Sequence, residues 1–216
     1  MSWKEVAKFL ETYGNAEYKA VSKCFGEDRK RMEQLRSDAQ MTLQEFERLA
    51  LRCCENSTEM ILLRGRNKNF LDGTMRKIRP YVWERFAIID AVRVPVNISV
   101  FCESAESGMQ ARVAIDVDLK KTSLKDLSVY NKTLLCAEKP ENSIYLANTY
   151  GNKGLEKFGG TGSELLSKIA LKEYKKAEIA YVFPIAEMDD EDITAGMQTS
   201  VNALIPIYKS VISAIK

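Results

Sequence analysis

From Ala111 to Leu119 the chain alternates strictly, with Val113, Ile115, Val117 and Leu119 on one side and Arg112, Ala114, Asp116, Asp118 and Lys120 on the other. Successive side chains of a strand point to opposite faces, so this period of two demands a sheet with one face against a core. An antiparallel sheet tolerates water on its second face, which places the two aspartates and the lysine on a solvated surface. Val94 to Phe101 supplies a partner strand, joined to the first by CESAESGMQ, a stretch small and polar enough for a hairpin connection. SIYLANTY and AEIAYVFPI add two more strands.

Both ends of the chain change to helical spacing. Trp3, Val6, Phe9, Leu10 and Tyr13 share one helix face, opened by Ser2 with Glu5 three residues on and closed by Gly14. A helical stretch over about 15–37, interrupted near Gly26, is expected next. A third helix is expected from Thr42, with Glu45 completing its capping box. Pro80 suits the first turn of a short helix, YVWERFAII, and Ser123 opens another. The chain from Asp190 to Lys216 is an amphipathic helix with Ile193, Met197, Val201, Leu204, Tyr208, Val211 and Ile212 inward, kinked at Pro206. The fold class is therefore α+β, a small antiparallel sheet flanked by N-terminal helices and a long C-terminal helix. Residues 1–216 are expected to form one domain, helical over 1–63 and sheet-containing over 64–216, a length that one core serves well.

Composition narrows the chemistry. The 216 residues contain no histidine, which removes Ser/His/Asp triads, Cys–His dyads and every His-ligated zinc or iron site. Carboxylate and lysine chemistry, magnesium-dependent phosphoryl chemistry and plain binding remain. With 32 basic against 30 acidic residues, global charge selects no partner. Five cysteines without a Cys-x-x-Cys pair, and an amphipathic start in place of an apolar signal region, predict a reducing, cytoplasmic location. No run approaches the eighteen or so apolar residues of a membrane span.

Local charge is more informative. Arg64, Arg66, Lys68, Arg76, Lys77, Arg79, Arg85 and Arg93 face only Asp72, Glu84 and Asp90 as counter-charges, eight against three, with Phe70, Tyr81 and Trp83 interleaved. Guanidinium forks match phosphate oxygens and aromatic rings stack on unpaired bases, so the segment suits a nucleic-acid surface, Arg64, Arg66, Lys68, Arg76, Lys77 and Arg79 on phosphates and Tyr81 or Trp83 stacking. Charge runs are also what solvated faces carry, with such aromatics in the core.

Asp116, Asp118 and Lys120, with Asp90 or Glu103 upstream, resemble the Asp…Asp/Glu-x-Lys pattern by which nucleases of the restriction-endonuclease-like fold hold magnesium and orient water. The same alternation is what an exposed sheet face requires. Magnesium is expected only on that alternative, and no other cofactor is. Phe158 to Glu164, with three glycines before a helix, could present N–H groups to a phosphate or simply cap the helix through Thr161 or Ser163. The acidic run Glu187 to Asp192 complements a helix dipole.

The hairpin ISVFCESAESGMQARVAIDVDL and the closing KEYKKAEIAYVFPIAEMDDEDITAGMQTSVNALIPIYKSVI resemble the N-terminal DNA-recognition domain of methylcytosine-specific restriction GTPases. That resemblance implies recognition of a modified base on DNA in a restriction or defence setting. The SWKEVAKFLETYGN, RPYVWERF and ISVF segments are similar to a family of uncharacterised bacterial proteins of about the same length, some labelled glucose-6-phosphate dehydrogenases. With no dinucleotide-binding glycine fingerprint after a strand and no histidine base, that label carries nothing over to these residues. The expected activity is nucleic-acid binding. The alternatives are the magnesium-dependent nuclease and a non-catalytic interaction domain in which the C-terminal helix or a sheet edge makes a homo-oligomer.

Overall fold

Ser2 accepts the Glu5 N–H through its hydroxyl and so starts α1 (Trp3–Tyr13), whose buried stripe is Trp3, Val6, Ala7, Phe9 and Leu10. In the computed structural model, which describes residues 2–63, 77–149 and 154–216, the next helix is a single one, α2 (Gly26–Cys54). The two helices expected over 15–37 and from Thr42 are thus corrected in both their start and their break. Gly26 begins α2 at φ +55°, a conformation glycine adopts freely. Thr42 lies in mid-helix, where its hydroxyl donates to the Asp38 carbonyl one turn back in place of capping a new start.

The strands are β1 (Met60–Leu62), β2 (Tyr81–Ile88), β3 (Val96–Ala105), β4 (Gly108–Val117), β5 (Ile144–Thr149), β6 (Leu155–Phe158) and β7 (Tyr174–Pro184). They form one antiparallel sheet in the order β1-β2-β3-β4-β7-β5-β6. The expected α+β class holds, with β1 closing the stretch read as helical and β6 added at the far edge. Of the stretch YVWERFAII, all but Ile89 is β2, not a helix. Tyr, Val, Trp and Phe favour a pleated, half-buried surface, and pairing with β3 from Tyr81↔Glu103 to Phe86↔Ile98 outweighs the Pro80 signal. At the β3–β4 turn, Gly108 takes φ +113°, which side-chain-bearing residues rarely adopt.

The remaining helices, α3 (Leu124–Cys136), α4 (Gly162–Ala170) and α5 (Asp190–Ile215), join α1 and α2 on one side of the sheet. One apolar core runs from α1 through Val82, Ile98, Val113 and Ile179 to α5. The inward set expected for α5, Ile193 to Ile212, is buried throughout, and the helix continues through Pro206. Trp3 stands edge-on to Phe46 at 6.0 Å between ring centres and donates its indole N–H to the Thr194 hydroxyl at 3.1 Å.

The other face of the sheet departs from expectation. Its central positions are buried: Asn97 and Ser99 on β3, Arg112, Ala114 and Asp116 on β4, and Lys176, Glu178 and Ala180 on β7. Leu146, with Ile144 and Leu155 from β5 and β6, packs on Ala114 and Ala180. The β4–β7 ladder runs only from Gln110↔Pro184 to Ala114↔Ala180. Just past it, the Tyr130 hydroxyl of α3 bonds the Ile115 and Ala177 carbonyls, both at 2.9 Å, and the Asn131 amide bonds the Lys175 carbonyl and the Ala177 N–H. A helix side chain therefore satisfies backbone groups that the neighbouring strand leaves open.

Candidate functional site

Because β2, β3 and β4 pair in antiparallel register, Trp83, Phe101 and Arg112 fall in one row across the face away from the helices. The next row is Arg85, Ser99, Ala114 and Ala180. Arg112 is 2 % exposed, with its guanidinium 3.8 Å from the centre of the Phe101 ring. It donates to both Glu103 oxygens, at 2.6 and 3.1 Å, and to Glu178 at 2.6 Å. Glu178, 1 % exposed, also meets the Lys176 ammonium at 2.7 Å, and Lys176 in turn holds Asp116. Five charged side chains from three strands thus make one continuous network, buried except at half-buried Glu103.

Burial and charge compete within it. Burial works against the Arg112 and Lys176 charges, but Glu178 beside both, with Glu103 at one and Asp116 at the other, holds each cation above its usual range. Burial also pushes the Asp116 carboxyl up, and Lys176, helped by Arg85 and Arg112, more than reverses this, leaving it below its ordinary value. Glu178 goes the other way. Its burial outweighs Lys176 and Arg112, and the Asp116 charge adds to the rise.

The three residues expected as a nuclease centre are not gathered on one solvated face. Asp116 is buried against Lys176, and its own carboxylate accepts the Val117 N–H. Asp118 lies past the end of β4, where it pairs with Arg85 at 3.1 Å and accepts the Lys120 N–H. Lys120 is exposed in that turn. Glu103 is committed to Arg112 and Gln110, and Asp90 stands in the turn after β2. Among the described residues no three His, Cys, Asp or Glu side chains cluster as a metal site.

Of the expected nucleic-acid surface, Arg64, Arg66, Lys68 and Arg76 lie outside the described residues. Lys77 is exposed and bridges to Glu17 through the backbone. Arg79, Tyr81 and Trp83 are brought together. The Arg79 guanidinium is 5.8 Å from the Tyr81 ring centre and 5.2 Å from that of Trp83, and the two rings are 5.5 Å apart. Tyr81 is 37 % exposed and Trp83 half-buried. Neither is a core residue of a helix; both sit on the outer face of a strand.

The glycine-rich loop resolves as a cap. The Thr161 hydroxyl accepts the Glu164 N–H at 3.2 Å, and the Glu164 carboxylate accepts the Thr161 N–H at 2.7 Å. Cys53, Cys54 and Cys102 are buried free thiols, the first pushed up to about 12 by burial and the other two also raised.

Sequence reading missed Lys176 and Glu178 entirely. Their spacing of two in YKKAEIA matches Asp116 and Arg112 in period, which is the signal that could have paired the two strands. Compared with protein-family models, with curated proteins and with solved structures, the chain finds no match in any of the three. Its class rests on architecture: an α+β protein whose helices cover one face of an antiparallel sheet and whose other face carries a buried ion network beside an aromatic edge. Among the described residues no helix is long and apolar enough to cross a membrane.

Proposed function

We propose that this protein binds nucleic acid along the outer face of β2. The observation that carries this is the packing of the Arg79 guanidinium against Tyr81 and Trp83 at a partly exposed strand surface. Stacking of bases on aromatic side chains tolerates any sequence, and a neighbouring guanidinium adds both a planar stacking surface and a charge for the backbone. Lys77 and Arg79 begin a phosphate track that, on the sequence, extends through Arg76, Lys68, Arg66 and Arg64. The magnesium-dependent nuclease draws no support from the placement of its residues, since Lys176 already neutralises Asp116 and Arg85 neutralises Asp118.

Trp83 makes the test direct. The chain has two tryptophans, and Trp3 is fully buried, so quenching on titration with single-stranded oligonucleotides reports on Trp83. Binding that weakens steeply with salt, and weakens further in Tyr81→Ala and Arg79→Ala, is expected. Absence of binding at low salt refutes the proposal.

A further inference from the structure

We infer that the outer face of β2 takes two successive unpaired nucleotides, one base on Tyr81 and one on Trp83, in preference to the same sequence fully paired. This rests on the nucleic-acid reading above and names the class of strand that the surface fits.

Tyr81 and Trp83 are two residues apart on one strand and so share a face. Tyr81 is 37 % exposed and Trp83 half-buried, which leaves both side chains open to solvent. Their ring centres are 5.5 Å apart and their planes are tilted by 41°. Successive bases of a stacked strand repeat about every 3.4 Å, so a base slipped between the two rings would need about 6.8 Å. Each ring therefore serves a base of its own. Adjacent bases in a duplex lie parallel, closer together than these rings, and their faces are covered by their own neighbours. They reach the two rings only by leaving the stack and their pairing partners. An unpaired strand has no such pairing to lose, and its bases can splay to the spacing and tilt that the rings present.

Among the described residues the stacking surface stops at two rings. Phe101 stands beside Trp83 in the same row, but it is 9 % exposed and the Arg112 guanidinium lies 3.8 Å from its ring centre. Beyond Trp83 on β2, Arg85 is paired with Asp118 at 3.1 Å. Charge fixes where the backbone runs. Lys77 and Arg79 precede Tyr81, whereas Arg112 across the sheet is buried and committed to Glu103 and Glu178. Phosphates are thus held at the Lys77–Arg79 end, and the two bases lie over Tyr81 and Trp83.

The experiment is a fluorescence-anisotropy titration of the full chain with labelled DNA hairpins of one stem sequence, carrying a bulge of zero, one, two or four thymines. Affinity is expected to rise by about tenfold with each of the first two thymines and to level off from two to four. Tyr81→Ala and Trp83→Ala each remove one of the two steps, and the double variant binds all four hairpins alike. Retained binding of the fully paired hairpin shows that a variant is folded, and Tyr81→Ala, at the more exposed side chain, carries the test if Trp83→Ala is not. Equal affinity for paired and bulged hairpins overturns this inference while leaving nucleic-acid binding intact. So does a gain complete at one thymine, a rise that continues from two to four, or steps that survive both substitutions. Absence of binding to every hairpin and to single strands overturns the two together.

Discussion

Arg112 and Glu178 meet at 2.6 Å with almost no solvent on either side chain, although 66 residues separate them in the chain. A buried pair of this kind is costly to break, because removing one partner leaves the other charged and dry. Arg112→Met is expected to lower stability by about 3–5 kcal/mol, read from urea denaturation midpoints. Adding Glu178→Gln to Arg112→Met should recover part of that loss by removing one stranded carboxylate. A double variant as unstable as the sum of its parts contradicts the coupling.

The pH dependence follows from the two coupled carboxyls. Asp116 has its folded pKa below the ordinary 3.8, so its contribution is present above that value and lost as pH falls through the folded one. Glu178 has its folded pKa raised above 4.5, so its contribution is present below 4.5 and lost as pH rises through the folded one. Asp116→Asn should therefore flatten the acid limb of the stability profile and Glu178→Gln the limb that falls on the way to neutrality. At neutral pH Asp116→Asn is expected to cost more. Thermal melts across the acid range to neutrality measure both limbs.

Tyr130 shares its single hydroxyl proton between two carbonyls at the place where β4 and β7 stop pairing. Tyr130→Phe keeps the ring in the core and strands those carbonyls, with an expected loss of about 1–3 kcal/mol. Faster amide exchange at the β4–β7 junction should accompany it, and unchanged exchange there argues against this role.

The thiols divide by burial. Cys24, Cys53, Cys54 and Cys102 are buried, and Cys136 is exposed at the end of α3. A thiol reagent followed by mass spectrometry should add one label to the native protein, at Cys136, and five after denaturation. Rapid native labelling at Cys53 or Cys54 contradicts the packing of α2 against α5.

The local part of this fold was readable from the chain. Ser2 with Glu5, Ser123, and the alternation in β4 depend on neighbours a few residues away, and the structure keeps all three. What failed was the inference from polarity to exposure. Arg112 and Asp116 look like solvated residues until β7 arrives with Glu178 and Lys176, 66 and 60 residues further on. Pro80 likewise announces a helix start only if β3 is ignored. The aromatic and basic residues of the candidate surface were named from composition, but the row that joins Trp83 to Phe101 and Arg112 exists only through strand register.

The bond from the Trp3 indole to Thr194 ties α1 to α5 across 191 residues. Chains emerge from the ribosome N-terminal side first, so α1 is made well before α5 and waits, while everything between them is synthesised, for the surface that receives it. Its apolar stripe of Trp3, Val6, Phe9 and Leu10 stays without its final cover until α5 emerges. During that interval the stripe is transiently exposed apolar surface, the kind that promotes aggregation and that chaperones exist to shield.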